Sequence, residues 1–245
     1  MKKKYLDYNE SNSWERLKHT LASWKYIGVG KSLLVWFLTI SFIPLSTISL
    51  INYLNSYKGL TIVADKTLKS SSHLRLKYLN TYFEEATDIL QITENSELQS
   101  IYFDELVKKF NESGLNSSNF VETTEWKEFT DKERRDFNTT LKKKDYYNFL
   151  FITKNGDVLF SVRDENVLGK NIFNSDLSNS LLSKTITKSL DSEKMFFSDL
   201  EVFEPSRGTI SGFFITPHRN TDGTVNGVYV LQLTMDGINA MIQQQ

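Results

Sequence analysis

Apolar and polar residues follow three different patterns along this chain, and each predicts a different kind of element. Between Leu33 and Leu54 there is no alternation at all. These 22 residues, LLVWFLTISFIPLSTISLINYL, carry no charge, and Lys31 and Lys58 stand on either side. A helix of that length reaches about 33 Å, enough to cross a hydrocarbon core of roughly 30 Å. Thirteen of the residues are Leu, Ile, Val or Phe. Each of these contributes about −0.3 to −0.6 kcal/mol near the centre of a span, so insertion is expected despite the Ser, Thr and Asn. A cleaved signal peptide would have an apolar region of about 7–15 residues near the N-terminus and a small-residue exit. Neither is present. Pro44 lies mid-run, where a lipid-embedded helix tolerates it.

The second pattern has a helical period. From Leu60 to Ser113 there is no Gly and no Pro. Leu60, Val63, Ala64, Leu68, Leu79, Tyr82, Ala86, Ile89 and Leu90 recur at spacings of three and four. They predict a long helix leaving the apolar run, broken near Asn95. NESGLNSSN (111–119) reads as a surface loop. Glu125 to Lys144 predicts a charged helix, and Lys142 to Lys144 read as its solvated, favourably placed C-terminal end.

The third pattern is β-like. NFLFITK (148–154) is followed by Asn155-Gly156 and DVLFSVR (157–163), which predicts a hairpin with a type I′ turn. DENVLGKNIF reads as a loop containing Gly169. LSNSLLSKTITKSL (177–190) sets Leu177, Leu181, Leu182, Ile186 and Leu190 on one helical face. MFFSDLEVF (195–203), TISGFFITPHR (209–219) and TVNGVYVLQLTM (224–235) predict three further strands, with turns at 205–208 and 220–223. Asp236 is the expected N-cap of a last helix over 237–245. The series predicts an α+β fold in which a membrane helix continues into a long helix. A five-stranded antiparallel sheet with helices on one face follows.

Charge adds an orientation. Lys2, Lys3, Lys4, Arg16, Lys18, Lys25 and Lys31 precede the span, against Lys58, Lys66 and Lys69 in the stretch after it. The positive-inside bias places the N-terminus in the cytoplasm and the large domain on the far side. A net charge of −1 gives no field directed at nucleic acid. Zero cysteines exclude disulfides and thiolate metal sites.

Catalytic motifs are missing from the sequence. Gly28-Val29-Gly30-Lys31-Ser32 resembles part of a phosphate-binding loop, but Lys25 stands where that motif needs its first Gly, and the run leads into the membrane. His19, His73 and His218 lack metal-ligand spacing. No G-x-S-x-G elbow occurs. An enzyme is not expected, and no cofactor or metal is called for.

Several segments together resemble a known family. DYYNFLFITKNGDVLFSV (145–162), VLGKNI (167–172) and residues 196–242 resemble successive parts of the Cache domains, the PAS-like sensors of bacterial transmembrane receptors. The span with its Ile43-Pro44-Leu45, followed by a long helix, resembles the first membrane helix of chemoreceptors and sensor histidine kinases. The resemblance covers roughly residues 30–245. It implies a cytoplasmic tail (1–32), a single span (33–54), a helical stalk with flanking helices (55–144) and a PAS-like unit (145–245) outside a bacterial cell membrane. It also implies a second span, a second unit and an output domain beyond Gln245, so a receptor cut short is expected. Homodimerisation through the long helix is implied too. The ligand would be a small molecule, a carboxylate or amino acid, bound between the sheet and the loop-helix segment that covers it. The implied ligand-binding residues are Ser161, Arg163, Asp199 and Tyr229, with Phe151, Phe197 and Phe214 as walls. Arg163 would clamp a carboxylate and Asp199 would take an amine. An anchored interaction or scaffold protein with a PAS-like module is the alternative.

Overall fold

The computed structural model describes residues 28–243 except Asp164. The basic tail over 1–27 and the last two residues lie outside the described residues. The chain divides after Ser70 into two compact units.

Helix α1 runs from Val29 to Glu94 with Pro44 inside it. Its apolar segment is long enough to cross a membrane, and it is the one such helix among the described residues. The two threonine hydroxyls of that segment are satisfied within the helix: Thr39 donates to the Val35 carbonyl and Thr47 to the Ile43 carbonyl, each at 2.7 Å. Such back-bonding removes the cost of carrying a hydroxyl into lipid. The apolar stripe predicted from Leu60 onward is exposed at first, with Leu60 and Leu68 at 72% and 69%. Tyr82, Ala86, Leu90 and Thr93 are buried.

In the second unit, α1 ends at the predicted break. Ser96 caps the next helix, α2 (Glu97–Ser113), by accepting the Gln99 N–H at 3.3 Å, and Gly114 closes α2 in the left-handed region. A single turn, α3 (Ser117–Phe120), leads to α4 (Thr124–Lys143), whose N-cap is Thr123. Strands β1 (Asn148–Thr153) and β2 (Val158–Ser161) form the predicted hairpin. Turns occupy much of the stretch up to α5 (Leu181–Ser192), capped by Ser180. Strands β3 (Phe196–Phe197), β4 (Glu201–Phe203), β5 (Thr209–Arg219) and β6 (Val225–Thr234) follow, then α6 (Met235–Gln243). All pairings are antiparallel. The order is β2-β1-β6-β5-β3, with β4 also on β5.

Four local expectations are corrected. The hairpin turn is not type I′, which needs φ > 0 at both central residues. Here Gly156 has φ 91° and Asn155 is not in the positive-φ region, while the Gly156 N–H donates to the Thr153 carbonyl at 2.9 Å. This is the three-residue form with glycine at its left-handed position. The segment 195–203 is two strands, making six among the described residues, because Ser198 interrupts it. Its backbone N–H and its hydroxyl both bond Phe213, and the register slips by one between Phe197↔Phe214 and Glu201↔Ser211. Asp236 lies inside α6, and the Thr234 hydroxyl accepts the Gly237 N–H at 3.3 Å in the capping role. Finally, the sheet is covered on both faces. Strand β1 is buried along its whole length, as its unbroken apolar run requires.

On one face, Phe149, Phe151, Phe160, Tyr229 and Leu231 pack against Tyr82, Ala86 and Leu90 of α1, Phe103 of α2 and Trp126 and Phe137 of α4. Phe103 stacks on Phe151 at 4.6 Å and meets Phe160 and Tyr229 edge-on at 5.4 and 5.2 Å. Such ring pairs contribute about 0.5–1.5 kcal/mol beyond their burial. On the other face, Leu150, Ile152, Val158, Phe213, Ile215, Val228 and Val230 pack against Leu182 and Ile186 of α5 and against Val167, Ile172 and Leu177.

Candidate ligand-binding pocket

Apolar side chains fill the space between the sheet and α5. A cavity of about 690 Å³ lies beside the end of β2 instead, lined by the loop after β2, the last turn of α4 and the segment that enters β5. Tyr147, Arg163, Glu165, Ser206, Arg207 and Lys142 give it its chemistry.

Arg163 is held from behind. Its backbone N–H donates to Asn148 Oδ1 at 3.1 Å, and its carbonyl accepts from the Ser161 hydroxyl at 2.6 Å. Asn148 Nδ2 donates to the same hydroxyl at 3.0 Å. Both Asn148 and Ser161 are fully buried. The guanidinium lies 4.0 Å above the Tyr147 ring, and its Nε donates to the Tyr147 carbonyl at 2.6 Å. Its two terminal nitrogens have no partner among the described residues, so the fork that matches a carboxylate is uncommitted.

Glu165 faces the same space. One carboxylate oxygen accepts from the Tyr147 hydroxyl, and the other accepts from Ser206 Oγ at 2.7 Å. Gln232 Nε2 donates to Ser206 Oγ at 3.0 Å and to Ser211 Oγ at 2.9 Å, which ties the cavity wall to β5 and β6. Burial, and then the bond to Glu165, hold the Tyr147 phenol above its ordinary range, so it stays a donor. Arg207 sits at φ 59° and Gly208 at φ 72°. The two left-handed residues turn the chain back into β5 with Arg207 at the cavity. The described lining thus combines three cations, Lys142, Arg163 and Arg207, with one carboxylate, Glu165. An adjoining cavity of about 670 Å³ shares Glu165 and Asn166 and is lined by Trp126 and Arg134. Among the described residues no His, Asp and Glu cluster is arranged to hold a metal.

The four residues singled out in the sequence separate. Arg163 lines the cavity. Ser161 supports it from the interior through the Arg163 carbonyl. Asp199 is exposed between β3 and β4 and accepts the Leu200 N–H at 2.8 Å. Tyr229 is on the helix-covered face of the sheet, with its hydroxyl 2.8 Å from His218 Nδ1. Phe151 and Phe214 belong to that same core, and Phe197 packs on Phe214 at 4.6 Å. Sequence reasoning missed Tyr147, Glu165, Ser206, Arg207 and Lys142. Lys142 belongs to the basic run assigned to solvent, where its neighbour Lys144 pairs with Glu85 at 3.0 Å.

No protein-family model matches the chain, and no curated protein matches it. Solved structures that it resembles include sensor and ligand-binding domains. The sensor domain of the V. cholerae histidine kinase DctB is 14% identical, with a TM-score of 0.46 over 74% of this chain and 61% of that one. This chain therefore spans less than two thirds of the DctB sensor structure. The ligand-binding domain of the Pseudomonas aeruginosa PAO1 amino acid chemoreceptor PctC, solved with GABA, is 9% identical, with a TM-score of 0.46 over 74% and 68%. The E. coli DcuS sensor domain is 14% identical, with a TM-score of 0.44 over 69% and 99%.

Proposed function

We propose that this chain is the extracytoplasmic ligand-sensing portion of a membrane-anchored signal-transduction receptor, and that the cavity at Arg163 takes a small carboxylate or amino acid. The observation that carries the reading is an uncommitted guanidinium beside a carboxylate in one cavity, in a chain that also carries a charge-free 22-residue helical segment. Arg163 is positioned to clamp a carboxylate with two parallel N–H bonds. Glu165 accepts an ammonium by giving up its bonds to Tyr147 and Ser206. Lys142 and Arg207 raise the local concentration of anions. The basic N-terminal tail supports a cytoplasmic N-terminus with the sheet domain outside. The exposed Leu60, Val63 and Leu68 support pairing of two copies along α1.

The test is a thermal-shift screen of the full chain in detergent against amino acids and small dicarboxylates, followed by Arg163→Ala on each hit. One charge-assisted, bidentate contact contributes about 1.5–3 kcal/mol, so affinity should fall roughly 10- to 150-fold. A hit that binds the variant as tightly removes Arg163 from the site. A folded chain that binds nothing in the screen favours an anchored interaction module.

A further inference from the structure

On the opposite face of the sheet from Ser161, a histidine is buried among α2 and the strands β1 and β6. His218 of β5 is 1% exposed. Its Nε2 lies 3.0 Å from Asp104 Oδ1 of α2, and its Nδ1 lies 2.8 Å from the Tyr229 hydroxyl of β6. Phe103, Phe151 and Tyr229 enclose the ring at centroid distances of 6.3, 5.2 and 5.1 Å. Asp104 holds more than the imidazole, because its Oδ2 accepts the Thr221 N–H at 3.3 Å in the β5–β6 turn. One turn earlier on α2, the Ser100 hydroxyl donates to the Arg219 carbonyl at 2.7 Å. The polar docking of α2 on this end of the sheet therefore converges on His218.

We propose that protons are a second input to this domain, and that uptake of one proton at His218 loosens α2 and the 220–223 turn from the sheet. This rests on the geometry around His218 and is independent of the cavity at Arg163. In the neutral ring every group is satisfied: the Tyr229 O–H donates to Nδ1, and Nε2–H donates to Asp104. A proton from solvent has one place to go, the Nδ1 lone pair. Tyr229 must then turn its own O–H away and accept from Nδ1. The other carboxylate bearing on Tyr229 is Glu94 at the end of α1, which already accepts from the Thr216 hydroxyl at 2.5 Å. Arg219, next along β5, is paired with Glu193 at 2.8 Å. Among the described residues Asp104 is the one carboxylate bonded to the ring, and at 24% exposure its pull on a buried cation is partly screened. Burial outweighs that pull and holds His218 below its ordinary value of 6.5. A histidine with a lowered folded value contributes stability above the unfolded value, and that stability is lost as pH falls. Acidification therefore favours the opening that returns His218 to water.

The test uses the full chain in detergent micelles with carbon-13-labelled histidine. The signal that disappears in His218→Gln, out of His19, His73 and His218, is the one to follow from about pH 8 to about pH 5. The expected midpoint lies below 6.5, and Asp104→Asn should move it further down. Amide protection at Thr221 and over Ser100 to Asp104 should fall on acidification by up to about tenfold per pH unit, the limit for one linked proton, and stay flat in His218→Gln. A midpoint at or above 6.5 overturns the proposal. So does protection that survives acidification, or that falls equally in the variant.

Discussion

Replacing Gly156 by valine tests the hairpin that supports the cavity loop. The Gly156 carbonyl accepts the Ile172 N–H at 2.8 Å, and Val158 exchanges backbone bonds with Lys170 and Gly169 at 2.9 and 3.0 Å. A side chain at 156 therefore acts on the 169–172 segment that follows the cavity loop. Two costs follow. At φ 91° an L-residue is strained, by about 1–2 kcal/mol, and a β-branched one tolerates this least. A Cβ would also stand 2.5 Å from Phe173 Cδ2 and 3.1 Å from Asn171 Oδ1. Phe173 packs against the second core and cannot swing freely, so the overlap adds about 1–3 kcal/mol. The total is about 2–5 kcal/mol, a large share of the 5–15 kcal/mol of an ordinary domain. For a unit of this size it lowers Tm by about 4–20 °C. The assay is thermal unfolding of the full chain in detergent, followed by far-UV circular dichroism and by fluorescence. Trp126, buried against the sheet, is the only tryptophan after residue 70. Gly114→Ala is the control, since Gly114 has φ 62° and open space around it, leaving only a backbone cost of about 1–2 kcal/mol. A Gly156→Val loss no larger than that of Gly114→Ala would refute the steric reasoning and, with it, the placement of Phe173 over the turn.

Two further outcomes follow. Glu201 accepts the Leu181 and Leu182 N–H groups at 2.8 and 2.9 Å, so Glu201→Ala leaves two donors at the start of α5 without partners. It should cost about 1–2 kcal/mol, seen as a lower urea midpoint with an unchanged slope. A C-terminal alkaline phosphatase fusion should be active in a bacterial host, and a cytoplasmic reporter at the same site should be silent. The reverse pattern would invert the topology.

The sequence by itself determined the elements. A charge-free run of 22 residues gives a helical segment long and apolar enough to cross a membrane, and the α1–α2 break, the α4 limits and most strands of the 148–235 region follow from period and capping residues that act within a few positions. Two of the four errors of detail lay where two local signals compete. Asn155-Gly156 fits either of two turns, and Thr234 and Asp236 both cap well. The site was harder to read. Arg163 was legible as a cation at the end of a strand. Ser161 and Tyr229 could not be assigned to a side of the sheet, because period two fixes faces only within one strand. Register joins the strands: Leu150 opposite Ser161 and Phe151 opposite Tyr229 send the serine to the α5 face and the tyrosine to the helical face. Register also carries Gln232 and Ser211 behind Ser206, and the docking of α2 on the sheet brings His218 against Asp104, 114 residues away. Tyr147, Glu165 and Arg207 meet only because the start of β1, the end of β2 and the start of β5 lie at the same end of the sheet. Local periodicity carries no information about such meetings, since they depend on pairings between strands far apart in the chain, and those pairings are decided by packing of the whole core.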